Sequence, residues 1–206
     1  MDNSNIEFDF RDKHYRATRN NGKFNYQRTF NDSLGAIKDV LNNKEFQRYI
    51  NNTVFEVSEG KAQAYAGSVN SVHYFSVLPY GLNGTAVNKS YIGKVDIKGD
   101  GYHKIKVTFN QEGGGEDYDD VFIYWINTET FKADCLAYSY VENHGVGLRF
   151  RGTYNERYVK GIRFVDYSNY MPIDSRVKLE DLDSLFKNDA LELLSKIELE
   201  HMVVVL

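Results

Sequence analysis

Apolar and polar side chains alternate in short runs along much of this chain. Ile6-Glu7-Phe8-Asp9-Phe10 is the first run, and Lys104-Ile105-Lys106-Val107-Thr108-Phe109 and Leu148-Arg149-Phe150-Arg151 repeat the rule. A period of two sends successive side chains to opposite faces, so such runs are half-buried strands. The pattern predicts strands over 6–11, 13–19, 23–30, 36–41, 45–50 and 53–57. Asn20-Asn21-Gly22 joins the second to the third, because Asn and Gly tolerate the positive φ of a tight hairpin. Strands resume at 91–98, 102–110, 119–127, 132–141, 147–154 and 158–167, and Met202 to Leu206 reads as a closing strand. Val121-Phe122-Ile123-Tyr124-Trp125-Ile126 is apolar on both faces and belongs centrally in a sheet covered on both sides. One long antiparallel sheet with an aromatic face is the expectation.

The period changes twice. From Ser58 to Leu78, the residues Ala62, Tyr65, Ala66, Val69, Val72 and His73 recur at three- and four-residue steps, which is helix spacing. Phe75, Val77 and Leu78 add apolar surface away from that stripe, so this helix should lie between two layers or cover a cavity. After Pro172, Leu179, Leu182, Leu185 and Phe186, then Leu191, Leu194 and Ile197, predict a second helical segment. No composition break and no internal repeat divides the chain. The expectation is a single domain, 1–206, with helical insertions at about 58–78 and 178–197. The fold class is α+β, mainly antiparallel β.

Composition narrows the function classes. A net charge of -4, from 25 basic and 29 acidic residues, argues against a nucleic-acid partner. The one cysteine, Cys135, has no partner for an intramolecular disulfide and reads as a small buried hydrophobe. No stretch reaches the roughly 18 apolar residues of a transmembrane span. Met1-Asp2-Asn3-Ser4-Asn5 has neither the basic nor the apolar region of a signal peptide, yet a strand begins by Ile6. We therefore expect a leader ahead of this sequence.

The candidate chemistry is thin. Gly113-Gly114-Gly115 lacks the Gly-Lys-Ser/Thr ending of a phosphate loop and reads as a hairpin loop. Glu116, Asp117, Asp119 and Asp120 carry oxygen ligands for a hard cation but miss the EF-hand pattern, so a solvated acidic loop is preferred. His14, His73, His103, His144 and His201 show no zinc-type spacing. No metal or other cofactor is expected. His73 sits in the helix beside Tyr74 and Phe75, placed either to meet a ligand head group or to serve as a core histidine. Arg149, Arg151, Arg157, Lys160 and Arg163 fall on two successive strands and read as a solvated face paired with Glu156 and Asp166.

The strings Ser68-Val69-Asn70-Ser71-Val72-His73-Tyr74-Phe75 and Leu78-Pro79-Tyr80-Gly81-Leu82-Asn83 resemble the signature of an uncharacterised bacterial family. So do Gln111-Glu112-Gly113-Gly114-Gly115, the strand Asp120 to Ile126, and Gly161-Ile162-Arg163-Phe164-Val165-Asp166-Tyr167. That family is similar in fold to the lipoprotein carriers LolA and LolB. The resemblance implies an unclosed antiparallel β-barrel with helical lid segments, an apolar cavity for acyl chains, and a secreted or lipoprotein character.

Together these readings point to non-catalytic binding of a lipophilic small molecule or acyl chain. The location would be the periplasm or outer membrane, with peripheral or lipid-anchored membrane association and no transmembrane span; a cytoplasmic location is the alternative. The expected lining is Phe8, Phe10, Tyr65, Val69, His73, Tyr74 and Trp125. A hydrolase pairing His73 with Asp120 or Glu142, and an interaction protein whose aromatic face is filled core, are the rivals. An apolar cavity of about 300 Å³ or more favours the binder.

Overall fold

The computed structural model describes residues 1–113, 118–142, 145–174 and 176–206. The chain opens with β1 (Asn3–Phe10), β2 (Lys13–Asn20), β3 (Lys23–Asp32), β4 (Gly35–Asn42), β5 (Phe46–Ile50) and β6 (Thr53–Phe55). Helix α1 (Glu59–Ser76) follows. Then come β7 (Val87–Ile97), β8 (Asp100–Phe109), β9 (Val121–Asn127), β10 (Ala133–Glu142), β11 (Gly145–Val159) and β12 (Ile162–Pro172). A single 3-10 turn, Leu179–Asp181, leads into α2 (Leu182–Lys187), β13 (Leu191–Ile197) and β14 (Glu200–Val205).

The strands form two open sheets rather than one, with orders β14-β1-β2-β3-β4-β5-β6 and β13-β12-β11-β10-β9-β8-β7. Neither closes on itself, and the strand pairs are antiparallel. Compactness divides the chain into two units. The first is Met1–Tyr80, Glu156–Val165 and Glu198–Leu206; the second is Gly81–Asn155 and Asp166–Ile197.

In the first unit the cross-strand register brings alternate residues onto one face. Phe8 pairs with Tyr15, Tyr15 with Arg28, Arg28 with Asp39, and Asp39 with Arg48. Helix α1 lies over β3, β4 and β5. Its buried stripe is Ala66, Val69, His73 and Ser76, the three- and four-residue spacing that the sequence shows. Ile6, Phe8, Tyr15, Val77, Phe164, Leu199 and Val204 form the main core of this unit.

The second unit buries Ile123, Trp125, Cys135, Ala137, Leu148 and Phe150 beneath Leu179 and Leu182. These sheet positions alternate along β9, β10 and β11, so one face is the core. The opposite face of β9 is covered too: Phe122 and Tyr124 are buried, as a strand apolar on both sides requires.

Three further sequence expectations need correction. The β11–β12 turn falls at Lys160-Gly161, not near residue 155; φ is 50° at Lys160 and 78° at Gly161, the pair of positive values that a two-residue hairpin needs. Asn155, at φ 51°, is a local break inside a longer strand. The second helical segment ends at Lys187, and 191–197 pairs with β12. A run of leucines at mixed spacing fits either period, and pairing with β12 decides it. Finally, Arg151 is not on a solvated face; it is 8% exposed and bonds the Tyr138 hydroxyl at 2.8 Å.

Candidate ligand site

The first unit gathers three rings around the imidazole of His73. Tyr26 stacks on it at 4.6 Å between centroids, while Tyr15 and Phe8 meet it edge-on at 5.6 and 5.8 Å. Nε2 of His73 lies 3.2 Å from the Gln27 carbonyl, so that nitrogen donates and carries the proton. Burial pushes the His73 pKa down to about 3, with Arg19 and Arg28 adding to the effect, and the ring is neutral at pH 7. Nδ1 has no hydrogen-bond partner among the described residues, and neither do Nε and Nη1 of Arg19. The Arg19 guanidinium instead stands 5.0 and 5.4 Å from the Tyr26 and Tyr80 rings.

Beside this cluster Asp39, fully buried, accepts from two arginines. Arg28 Nη2 lies 2.6 Å from Oδ2, and Arg48 Nε lies 2.7 Å from Oδ1. Arg28 also donates to Ser68 Oγ at 2.7 Å, which ties α1 to the sheet. Arg48 lies 3.7 Å from the centre of the Tyr65 ring.

The expected lining residues are therefore dispersed. Phe8, Val69 and His73 are fully buried core of the first unit. Phe10 is half-buried against Tyr15, Tyr65 lies under Arg48, and Tyr74 meets Phe75 at 5.3 Å. Trp125 belongs to the core of the second unit, against Phe150, with its Nε1 donating to Asp183 at 3.1 Å. Among the described residues, His73 bonds a backbone carbonyl and pairs with no carboxylate. Gly114, Gly115, Glu116, Asp117 and His144 lie outside the described residues, as does the side chain of Glu142. Among the described residues no group of three or more His, Cys, Asp or Glu side chains is placed to hold a metal ion.

Open space lies elsewhere. In the second unit a groove of about 330 Å³ runs along the inner sheet face where the 3-10 turn stops covering it. Val121, Ser139, Val146 and Leu148 form its floor, and Val177 to Glu180 its wall. These floor positions continue the rows of core residues Ile123, Ala137 and Phe150 along their strands. The wall is held by polar ties. Lys104 Nζ sits 2.7 Å from Asp183 and 2.8 Å from the Glu180 carbonyl, and Lys106 pairs with Glu180 at 3.1 Å. The first unit has a larger but more polar groove, about 620 Å³, edged by Asp9, Lys13, His14 and Lys38 over Phe30 and Ile37. Its acids are engaged: Asp12 with Lys13 at 2.6 Å, and Asp9 with His14 and His201 at 2.7 and 2.9 Å. Those histidines hold the Asp9 carboxyl below the usual range.

Alternation in the sequence locates the floor strands of the second-unit groove but not the groove. Its only sequence signal is that Val121, Val146 and Leu148 extend apolar rows past the helix that covers them. No helix among the described residues is long and apolar enough to cross a membrane.

Two open antiparallel sheets with few helices define a LolA-like fold. The structure is similar to that of a LolA-superfamily protein of Nitrosomonas europaea, with a TM-score of 0.51 at 10% identity, over 98% of this chain and 81% of that one. A DUF1329-family protein of Desulfovibrio piger scores 0.48 at 8% identity, over 92% of this chain and 89% of that one. A Vibrio parahaemolyticus domain described as outer membrane lipoprotein-sorting scores 0.44 at 7% identity, over 90% of this chain and 92% of that one. The chain belongs to DUF6503, a family of unknown function, whose model matches residues 1–199. No curated protein matches it.

Proposed function

We propose that this chain is a non-catalytic binding protein for a lipophilic group, an acyl chain, acting in the bacterial envelope. The groove over Val121, Val146 and Leu148 carries the reading, since it offers about 330 Å³ beside an apolar floor. Each CH₂ removed from water there gains about 0.8 kcal/mol, so binding needs no catalytic group. The LolA-like fold supports the same reading, and peripheral or lipid-anchored attachment to a membrane belongs to the proposal. The hydrolase reading is weaker. An imidazole buried among rings, with its pKa pushed down to about 3, is a poor general base near neutral pH.

The test is displacement of an apolar fluorescent probe by saturated alcohols of increasing length. Affinity should rise about fourfold per CH₂ for as long as added carbons enter the groove. Val146→Asp places a charge at an exposed floor position and should abolish that rise without unfolding the protein. Length-independent affinity, or wild-type binding by the Asp variant, defeats the reading. Fractionation of the native host tests location, and recovery in the cytoplasm rejects the envelope.

A further inference from the structure

We propose that the second-unit groove selects an acyl chain ending in a carboxylate, with Lys178 as the residue that reads the head group. The inference rests on the reading of that groove as an acyl site and adds the polar end of the ligand. Three charged side chains line the groove: Lys106, Lys178 and Glu180. Lys106 and Glu180 neutralise one another at 3.1 Å. Lys178 is exposed and makes no ion pair or side-chain hydrogen bond among the described residues. The groove thus has one uncompensated positive charge among the described residues, and it stands beside the apolar wall formed by Val177 and Leu179. The Ser139 hydroxyl, on the floor, also has no hydrogen bond to the described residues and supplies a second donor.

This arrangement matches an amphiphile with one anionic oxygen pair at the end of a single chain. The tail would lie over Val121, Val146 and Leu148, and the carboxylate would accept from Lys178 Nζ in a charge-assisted hydrogen bond. A neutral hydroxyl can accept from Lys178 but forms no ion pair with it, and a cationic head group meets a like charge.

The experiment compares dodecanoate, dodecanol and dodecylammonium in the same probe displacement, below their micelle concentrations and at low salt. We expect dodecanoate to bind about fivefold tighter than dodecanol, the upper range for one exposed charge pair. Dodecylammonium should bind weakest. Lys178→Gln should remove the preference for dodecanoate over dodecanol, and Lys178→Glu should reverse it. Equal affinity for dodecanoate and dodecanol, or a preference that survives Lys178→Gln, overturns the head-group inference and leaves the acyl groove standing. Failure of all three amphiphiles to displace the probe overturns the groove reading and this inference with it.

Discussion

Asp39 and His73 show how single residues in the first unit carry more than packing. Asp39 is fully buried between Arg28 and Arg48, so its removal strands two guanidinium groups in a low-dielectric layer. We expect Asp39→Ala to cost about 3–5 kcal/mol in urea unfolding. Exchanging all three charged groups for apolar ones of similar volume should recover most of that loss. A cost below about 1 kcal/mol would mean that water reaches the pair. His73 acts through protonation. Its folded pKa of about 3 lies below the unfolded value near 6.5, so the unfolded chain binds the proton first as pH falls. Its contribution is fully present above about pH 6.5 and is lost as pH falls toward 3, by about 1.4 kcal/mol per pH unit. His73→Phe keeps a ring among Phe8, Tyr15 and Tyr26, and should flatten the acid limb of stability against pH by one proton. An unchanged slope would show that the imidazole already charges in the folded state. Gly35 is a simpler case. Its φ is 120°, and a Cβ at that position would fall 2.5 Å from Asn51 Oδ1, so alanine there is strained and must displace the Asn51 amide from its bond to Ala36 N.

At the scale of elements, the segment from Leu179 to Lys187 is held by charge as well as by apolar contact. Asp183 accepts from both Lys104 and Trp125, and Lys187 reaches Asp96 at 3.1 Å. Asp183→Ala leaves a half-buried ammonium and a buried indole N–H without that acceptor, and should cost about 2–3 kcal/mol. Amide hydrogen exchange should quicken across 179–187 in that variant and little in β9. Uniform protection would show that Leu182 alone seats the helix. Legibility divides along the same line. The strands are readable because alternation is local, and α1 because its stripe repeats at helical steps. The end of α2 is not, since Leu191, Leu194 and Ile197 satisfy two periods and only pairing with β12 selects one. Lys160-Gly161 is hidden by Asn155, a more polar stretch that resembles a turn. The tie between Trp125 and Asp183 spans fifty-eight positions, and no local pattern encodes it.

For the whole molecule, the aromatic alternation that dominates the sequence is mostly filling. Phe8, Val69 and His73 are buried in the first unit and Trp125 in the core of the second. The second-unit groove lies where covering stops, at positions such as Val146, which look like any other alternating strand residue. A groove is set by what fails to reach a face, and that is a property of tertiary length rather than of side-chain type. Among the described residues β14 ends the strand order of its sheet, and it presents Val203 and Val205, both more than half exposed. Exposed apolar edges template further pairing, so Val203→Lys should raise the concentration at which the protein stays monomeric in sedimentation. No change would locate self-association, if any occurs, at another surface.

Cys135 sits in the second core at 6% exposure, and burial pushes its thiol up to about 12. As the chain's only cysteine, it makes the protein its own stopwatch. An alkylating reagent added to the native protein can react only after the second unit opens, so the labelling rate times that opening directly. Loading the groove with an amphiphile should slow the clock in proportion to occupancy, and the same reading needs no engineered probe.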